Sequence, residues 1–355
     1  MNHQGTDLHR NLAERFDELI RDAGGDPEKM SGKLVRDMLH TSIKFLRDGA
    51  DTGELKLTSR SFKELRYAMR VFRDYRGVRK VSVFGSARTA HDHPDYQVAE
   101  RFGRRMAEQG WMVITGAGGG VMRAVHGGAG RKKSFGVAIR LPFEMTANEY
   151  IEGDPKLIVF RYFFTRKLMF ASQADAIVLF PGGFGTQDEC FEILTLIQTG
   201  KSPVAPIVMI DPPGSQYWQH WRDYVQSELL ADGLISPEDL NLFTVTCDIE
   251  EAIRHVLNFY RNYHSQRFVR DDLIIRMHRP LTADHINQIN DEFSDLVIEG
   301  RIEQSQADRS ETLHLDLPRL RFTFTRRKYG RLRLLIDRIN EMDRMVHPDE
   351  MSQST

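Results

Sequence analysis

At 355 residues the chain exceeds the ~100–200 residues usual for one domain, which excludes a single small module. Its 41% hydrophobic and 28% charged residues are those of a globular chain. With 49 Lys+Arg against 50 Asp+Glu the formal net charge is -1, so no global field marks a nucleic-acid or polyanion binder and any basic site is local.

Residues 1–76 read as an N-terminal helical extension. Charges at Asp7, Arg10, Glu14, Arg15, Asp17 and Glu18 interrupt the first stretch, which argues against the apolar core of a signal peptide. Further on, Val35, Leu39, Ile43 and Leu46, then Phe62, Leu65, Met69 and Phe72, recur at helical spacing. Asp48–Thr58, with Gly49 and Gly53 among charges, reads as the loop between them. Nowhere do about 18 consecutive apolar residues occur, so no membrane span is expected. Two cysteines, Cys190 and Cys247, are too few for a disulfide framework or a zinc site and suit a reducing cytoplasm.

Residues 77–264 change texture. Short apolar runs, each followed by a turn and a helical stretch, predict strands at Val78–Phe84, Met112–Thr115, Phe135–Ile139, Leu157–Phe160, Ala176–Phe180 and Val204–Ile210. Buried strands joined by helices imply an α/β class with a doubly wound, mainly parallel, Rossmann-like sheet. The unit closes with Trp218–Leu230, a short strand near Leu242–Val245 and a helix from Asp248 to about Tyr263. Residues 265–355 read as a small α+β appendage, with strands at Asp272–Met277 and Thr312–Leu317, helices at Ala283–Phe293 and Leu332–Met342, and a frayed end at Pro348–Thr355.

Three strand ends carry glycine turns: Gly85-Ser86, then Gly118-Gly119-Gly120, then Pro181-Gly182-Gly183-Phe184-Gly185-Thr186. A parallel sheet brings them to one edge, where backbone amides and helix N-termini receive anions. Val121 stands where a dinucleotide fingerprint needs its third glycine, so NAD is not favoured. Gly200-Lys201-Ser202 imitates a Walker motif, but it follows a helix, lacks the first glycine and reads as a helix C-cap. Thr186 and Glu189 have the spacing of a capping box, which is compatible with chemistry at the same place. Arg166 and Lys167 stand at the start of a predicted helix, where two cations oppose the dipole and invite an anion. His126 and Cys190 read as structural, and no His-x-x-x-His pair with a carboxylate suggests a metal.

Taken together, Thr115-Gly-Ala-Gly-Gly-Gly-Val-Met122, Arg166-Lys167-x-Met169 and Pro181-Gly-Gly-Phe-Gly-Thr-x-x-Glu189 resemble the LOG family, once mislabelled as lysine decarboxylases. Ile139-Arg-Leu-Pro-Phe-Glu144 with Asn148-x-Tyr150 is similar to its larger bacterial subgroup. The resemblance covers roughly Val78 to Tyr263. It implies hydrolysis of the N-glycosidic bond of a nucleoside 5'-monophosphate, AMP-like or cytokinin-like, to free base and ribose 5-phosphate, without cofactor, by a homodimer or higher homo-oligomer. It places the catalytic pair on Arg166 and Glu189 and the phosphate turn on Gly182, Gly183, Gly185 and Thr186. Gly85, Ser86, Gly118, Gly119, Gly120 and Lys167 complete the expected binding set. Val121 and Arg123, in Gly120-Val-Met-Arg123, and Phe163 depart from the family pattern and bear on the identity of the base. A decarboxylase would need a pyridoxal-phosphate lysine, for which no motif exists.

Two other classes compete. A nucleotide carrier or sensor needs the turns but not the Arg166/Glu189 pair. Nucleic-acid binding would use Arg319–Arg333, where seven cations and three aromatics occur without an acid; an amphipathic strand and helix with a solvated basic edge is the plainer reading.

Overall fold

The computed structural model describes residues 3–141, 147–308 and 311–347, with side chains from residue 12 onward. Of the segments singled out above, Pro142–Glu144 and Pro348–Thr355 lie outside the described residues.

The chain divides into two compact units, Met1–Arg66 and Tyr67–Thr355. In the first, α1 (His3–Asp22) and α2 (Met30–Arg47) are joined by an edge-to-face contact of Phe16 with His40 and by Arg36 Nε donating to Asp17. The third helix, α3 (Thr52–Arg73), starts inside the segment expected to be loop. Asp51 and Glu54 explain this: each backbone amide donates to the other's carboxylate, at 2.8 and 2.9 Å, a capping box that starts the helix despite Gly53.

The second unit opens with β1 (Lys80–Phe84), α4 (Pro94–Glu108), β2 (Met112–Thr115), α5 (Gly120–Ala129), β3 (Ser134–Ile139), β4 (Leu157–Phe160), α6 (Phe163–Gln173) and β5 (Ala176–Leu179). It continues with α7 (Phe184–Gln198), β6 (Ile207–Ile210), α8 (Tyr217–Tyr224) with a π-helical turn Val225–Leu230, β7 (Phe243–Thr246) and α9 (Ile249–Phe259). The seven strands form one parallel sheet in the order β4-β3-β2-β1-β5-β6-β7, a Rossmann-like α/β fold. Both faces are covered, because alternate residues of β1 serve different layers. Val81 and Val83 join a core with Phe102, Met106, Val121 and Ile253 from α4, α5 and α9. Phe84 and Ser82 meet Phe170 of α6, through ring contact and through a hydrogen bond to its carbonyl. The strand order reverses between β1 and β5, so the crevice for a ligand opens beside those two C-terminal ends.

Beyond α9 the chain forms a second, antiparallel sheet, ordered β10-β11-β9-β8, from β8 (Tyr263–Val269), β9 (Asp272–Met277), β10 (Glu303–Ser305) and β11 (Arg319–Thr323), with α10 (Ala283–Phe293) and α11 (Tyr329–Val346). The strand expected at Thr312–Leu317 is absent, and the extended segment begins two residues later, at Arg319. Leu313 and Leu315, whose alternation suggested a buried strand, are 66% and 54% exposed, and His314 takes a left-handed φ of 56° that breaks an extended run. The α9 helix also stops at Phe259, because Tyr263 already belongs to β8.

The basic segment Arg319–Arg333 is only in part a solvated edge: Arg321, Arg326 and Arg327 are exposed and Lys328 and Arg331 half-buried. Arg319 and Arg333 are buried, paired with Glu311 and Asp337. Arg321 pairs with Asp272, and Lys328 and Arg331 share Asp295. The acids absent from the local sequence arrive from elsewhere in the chain. Helix α11 packs on the α/β layer: Asn340 accepts from the amides of Asn262 and Tyr263 and donates to Phe259 O. A Cβ on Gly330 would lie 1.8 Å from Glu238 O.

Candidate functional site

The three turns converge on Ser86. Its amide donates to Pro181 O at 3.0 Å and its carbonyl accepts from Val121 N at 3.0 Å, tying the first turn to the third and to the second. Close approach dictates the glycines here. A Cβ on Gly120, which has a φ of +57°, would sit 2.2 Å from Ser86 O, and one on Gly85 would strike Val121.

The second turn holds a strained residue, Ala117, with a φ of 64°. Bonds on both sides hold it: its amide donates to Thr115 Oγ1 and its carbonyl accepts from Asn148 N. Asn148 Nδ2 also donates to Gly118 O and lies 3.2 Å from His126 Nδ1. Burial pushes His126 down to about 4, so a neutral imidazole braces Thr115, Phe135 O and Asn148. The structural reading of His126 and the buried, unreactive reading of Cys190, whose thiol burial raises to about 12, agree with these surroundings.

Around these turns lies a cleft of about 1350 Å³, lined among the described residues by Gly85, Ser86, Gly118, Arg166, Gly182, Gly183, Gly185, Thr186 and Glu189. Gly119 and Gly120 lie behind it as the start of α5 rather than in its wall. Lys167 is also outside the lining. Its ammonium is held at 2.8 Å by both Asp188 and Glu192, so it joins α6 to α7. Arg166 enters from the first turns of α6, its Nε donating to Val137 O at 2.9 Å and its guanidinium over the Phe170 ring. Gly116 leaves room for it, since a Cβ there would lie 2.7 Å from Arg166 Nη2.

The expected capping box at Thr186 and Glu189 does not form. Helix α7 begins at Phe184 with Gly183 as its N-cap, which puts Thr186 in the first turn and leaves the Glu189 carboxylate for the cleft. Thr186 folds back on Gly182, where a Cβ would come within 2.2 Å of its Oγ1. Glu189 is buried, and burial raises its carboxyl to about 7 against the opposing pull of Arg166 and Lys167. Burial likewise lowers the pKa of Arg166, while Glu189 counters. A guanidinium nevertheless stays charged, so the cleft holds a fixed cation beside a carboxylate that titrates near neutrality.

A fourth strand end was not legible as part of the site. Tyr217 follows the Asp211-Pro-Pro-Gly214 turn after β6 and also lines the cleft. The only sequence signal was that turn, without the glycine density of the other three.

A parallel sheet whose switch-point turns enclose a cleft lined by a half-buried Arg166 and a buried Glu189 defines a Rossmann-like α/β protein. The chain belongs to the LOG family: the family model described as "Possible lysine decarboxylase" matches residues 119–256. The cytokinin riboside 5'-monophosphate phosphoribohydrolase of Mycobacterium tuberculosis is 30% identical over 186 residues, covering 51% of this chain and 95% of the relative. The protein of the same name from Rhodococcoides fascians is 29% identical, over 49% and 87%. Among solved structures, the molybdenum cofactor carrier protein of Chlamydomonas reinhardtii is 22% identical and covers 51% of this chain and 96% of its own, with a TM-score of 0.37. Among the described residues no helix is long and apolar enough to cross a membrane.

Proposed function

We propose that the protein is a nucleoside 5'-monophosphate phosphoribohydrolase that uses Arg166 and Glu189 to release a free base and ribose 5-phosphate. The observation that carries this reading is the buried Glu189, raised to about 7 and open to a cleft shared with Arg166 and the α7 N-terminus. The phosphate sits at the start of α7, where unpaired amides and the helix dipole favour an anion. As the bond from ribose C1' to the base nitrogen breaks, its electron pair leaves with the base and positive charge develops on the sugar. The Glu189 carboxylate stabilises that charge, orients ribose hydroxyls and accepts a proton from the water whose oxygen bonds to C1', and that proton passes on to the departing base nitrogen. Arg166 holds anionic substrate near the carboxylate and keeps Glu189 partly ionised at neutral pH.

The decarboxylase label carried by the family model points to other chemistry, which Lys167 and Lys80 do not support. A Schiff-base lysine requires a lowered pKa beside its substrate. Lys167 is raised by its two carboxylates, and Lys80, lowered by burial, donates to Tyr75 O and Val78 O at the start of β1, the opposite end of that strand from the cleft.

Incubation with a panel of nucleoside 5'-monophosphates and the matching nucleosides tests the reading. Equimolar base and ribose 5-phosphate are expected from at least one monophosphate, with the nucleoside a poor substrate; equal efficiency on AMP and adenosine would sink the phosphate assignment. The same reading carries a homodimer, supported by Phe163, Phe164 and Leu168, which α6 exposes by 53%, 55% and 47% beside the cleft. Light scattering at micromolar concentration is expected to give twice the chain mass, and a monomer alone contradicts it.

A further inference from the structure

We propose that Tyr217, held by Gln187, is a positioning residue that aims the Gly183 amide at the substrate's 5'-phosphate; this rests on the phosphoribohydrolase reading above. The Tyr217 hydroxyl donates to Gly182 O at 2.6 Å and accepts from Gln187 Nε2 at 2.5 Å. A phenol has a single proton, so giving it to Gly182 obliges Gln187 to act as donor. The cost is visible on the other side of the amide, because Gln187 Oε1 is buried and has no partner among the described residues.

The consequence for the phosphate turn follows from peptide geometry. In a planar trans peptide the carbonyl of one residue and the N–H of the next point in opposite directions. Pinning Gly182 O to Tyr217 therefore turns Gly183 N–H the other way. Nothing lies within 4 Å of where a Gly183 Cβ would be. Among the described residues the amides of Gly183, Phe184 and Gly185 have no hydrogen-bond acceptor, so the first turn of α7 presents three free donors.

Tyr217 is itself fixed from its own element. Asp211 accepts from the amides of Trp218 and Gln219 at 3.0 Å and from Ser215 Oγ at 3.1 Å, anchoring the start of α8. The Tyr217 ring stands edge-on to Trp218 at 4.9 Å. One hydroxyl thus links α7, α8 and the phosphate turn, and it does so at the cleft wall rather than in the core.

The test compares ligands with and without the phosphate. Titration calorimetry with ribose 5-phosphate, AMP and adenosine is run on the wild type, Tyr217→Phe and Gln187→Met, with steady-state kinetics on AMP. Tyr217→Phe keeps the ring and is expected to weaken ribose 5-phosphate and AMP about tenfold, the loss of one well-placed hydrogen bond, with adenosine affinity unchanged. The AMP defect is expected in KM more than in kcat. Gln187→Met leaves the Tyr217–Gly182 bond in place and is expected to lose about threefold in the same phosphate-selective pattern. Wild-type affinity for ribose 5-phosphate in Tyr217→Phe overturns the proposal, and so does an equal loss of AMP and adenosine, which marks a merely structural role. Should Tyr217→Phe fail to fold, Gln187→Met decides by the same criterion. A wild type that binds neither ribose 5-phosphate nor AMP is a separate result, which overturns the phosphoribohydrolase reading and this inference with it.

Discussion

Two buried glutamates show how one residue type serves opposite ends. Glu311, in the C-terminal appendage, accepts from Arg276 at 2.7 Å and from Arg319 at 2.8 Å, and the Arg319 hydrogen bond foremost holds its carboxyl down at about 2. Glu189, at the cleft, is equally hidden, with 6% exposure against 5%, yet has no hydrogen bond or ion pair among the described residues, and burial raises it to about 7. Saturated partners make the first an architectural charge, ionised at neutral pH. The second is an unsaturated charge whose protonation changes near neutrality, which is what an acid–base group requires. The lesson extends to the arginines. The appendage is rich in them, but Arg319, Arg321, Arg331 and Arg333 all meet carboxylates, so a local density of cations in the sequence is not a density of unpaired charge.

The sharpest way to strain this comparison is Glu311→Gln. It leaves two cations at the appendage core without their counter-charge and is expected to cost about 3–5 kcal/mol in denaturant unfolding at pH 7. Because its folded pKa is depressed, the contribution of Glu311 is fully present above the ordinary carboxylate range and is lost as pH falls toward about 2. Glu189 has the opposite sign: its folded pKa is raised, so its burial costs stability progressively as pH rises from the ordinary range through about 7. At temperatures where Glu311→Gln stays folded, kcat on AMP is expected to match the wild type. An unchanged unfolding midpoint would dissolve the distinction between the two glutamates.

Arg166→Met comes next in size. Loss of a fixed cation at the reacting centre is expected to lower kcat/KM about a hundredfold at pH 7. Since Arg166 pulls the Glu189 pKa down, its removal also moves the acid limb of the kcat/KM profile to higher pH. A profile that keeps its position would show that the two groups do not communicate.

Much of this was legible in the sequence because it depends on local rules. The six buried strands, the glycine turns and their common edge follow from apolar runs and parallel topology, and the motif around Arg166 and Glu189 carried the family. What escaped depended on partners distant in sequence. The Arg319–Arg333 segment looked acid-free because Glu311, Asp272 and Asp295 lie outside it and meet it only through the fold. Lys167 looked like an anion ligand until α7 brought Asp188 and Glu192 to it. Thr186 and Glu189 fitted a capping box by spacing, but Gly183 starts the helix three residues earlier. Conversely, a capping box that does form, at Asp51 and Glu54, was written in the right spacing inside a stretch that its glycines made look like loop.

The most direct measurement is AMP turnover by the wild type and Glu189→Gln side by side, in phosphate-free buffer at pH 8, with melting temperature and ribose 5-phosphate affinity recorded on the same samples. Glutamine keeps the shape and removes the charge. Equimolar adenine and ribose 5-phosphate over many turnovers are expected from the wild type. In the variant, turnover is expected to fall at least about a thousandfold, comparable to removing a principal transition-state stabiliser, with melting temperature equal or higher and ribose 5-phosphate still bound. AMP that the wild type binds but returns intact, as a carrier would, or a variant that turns over as fast as the wild type, contradicts the phosphoribohydrolase reading.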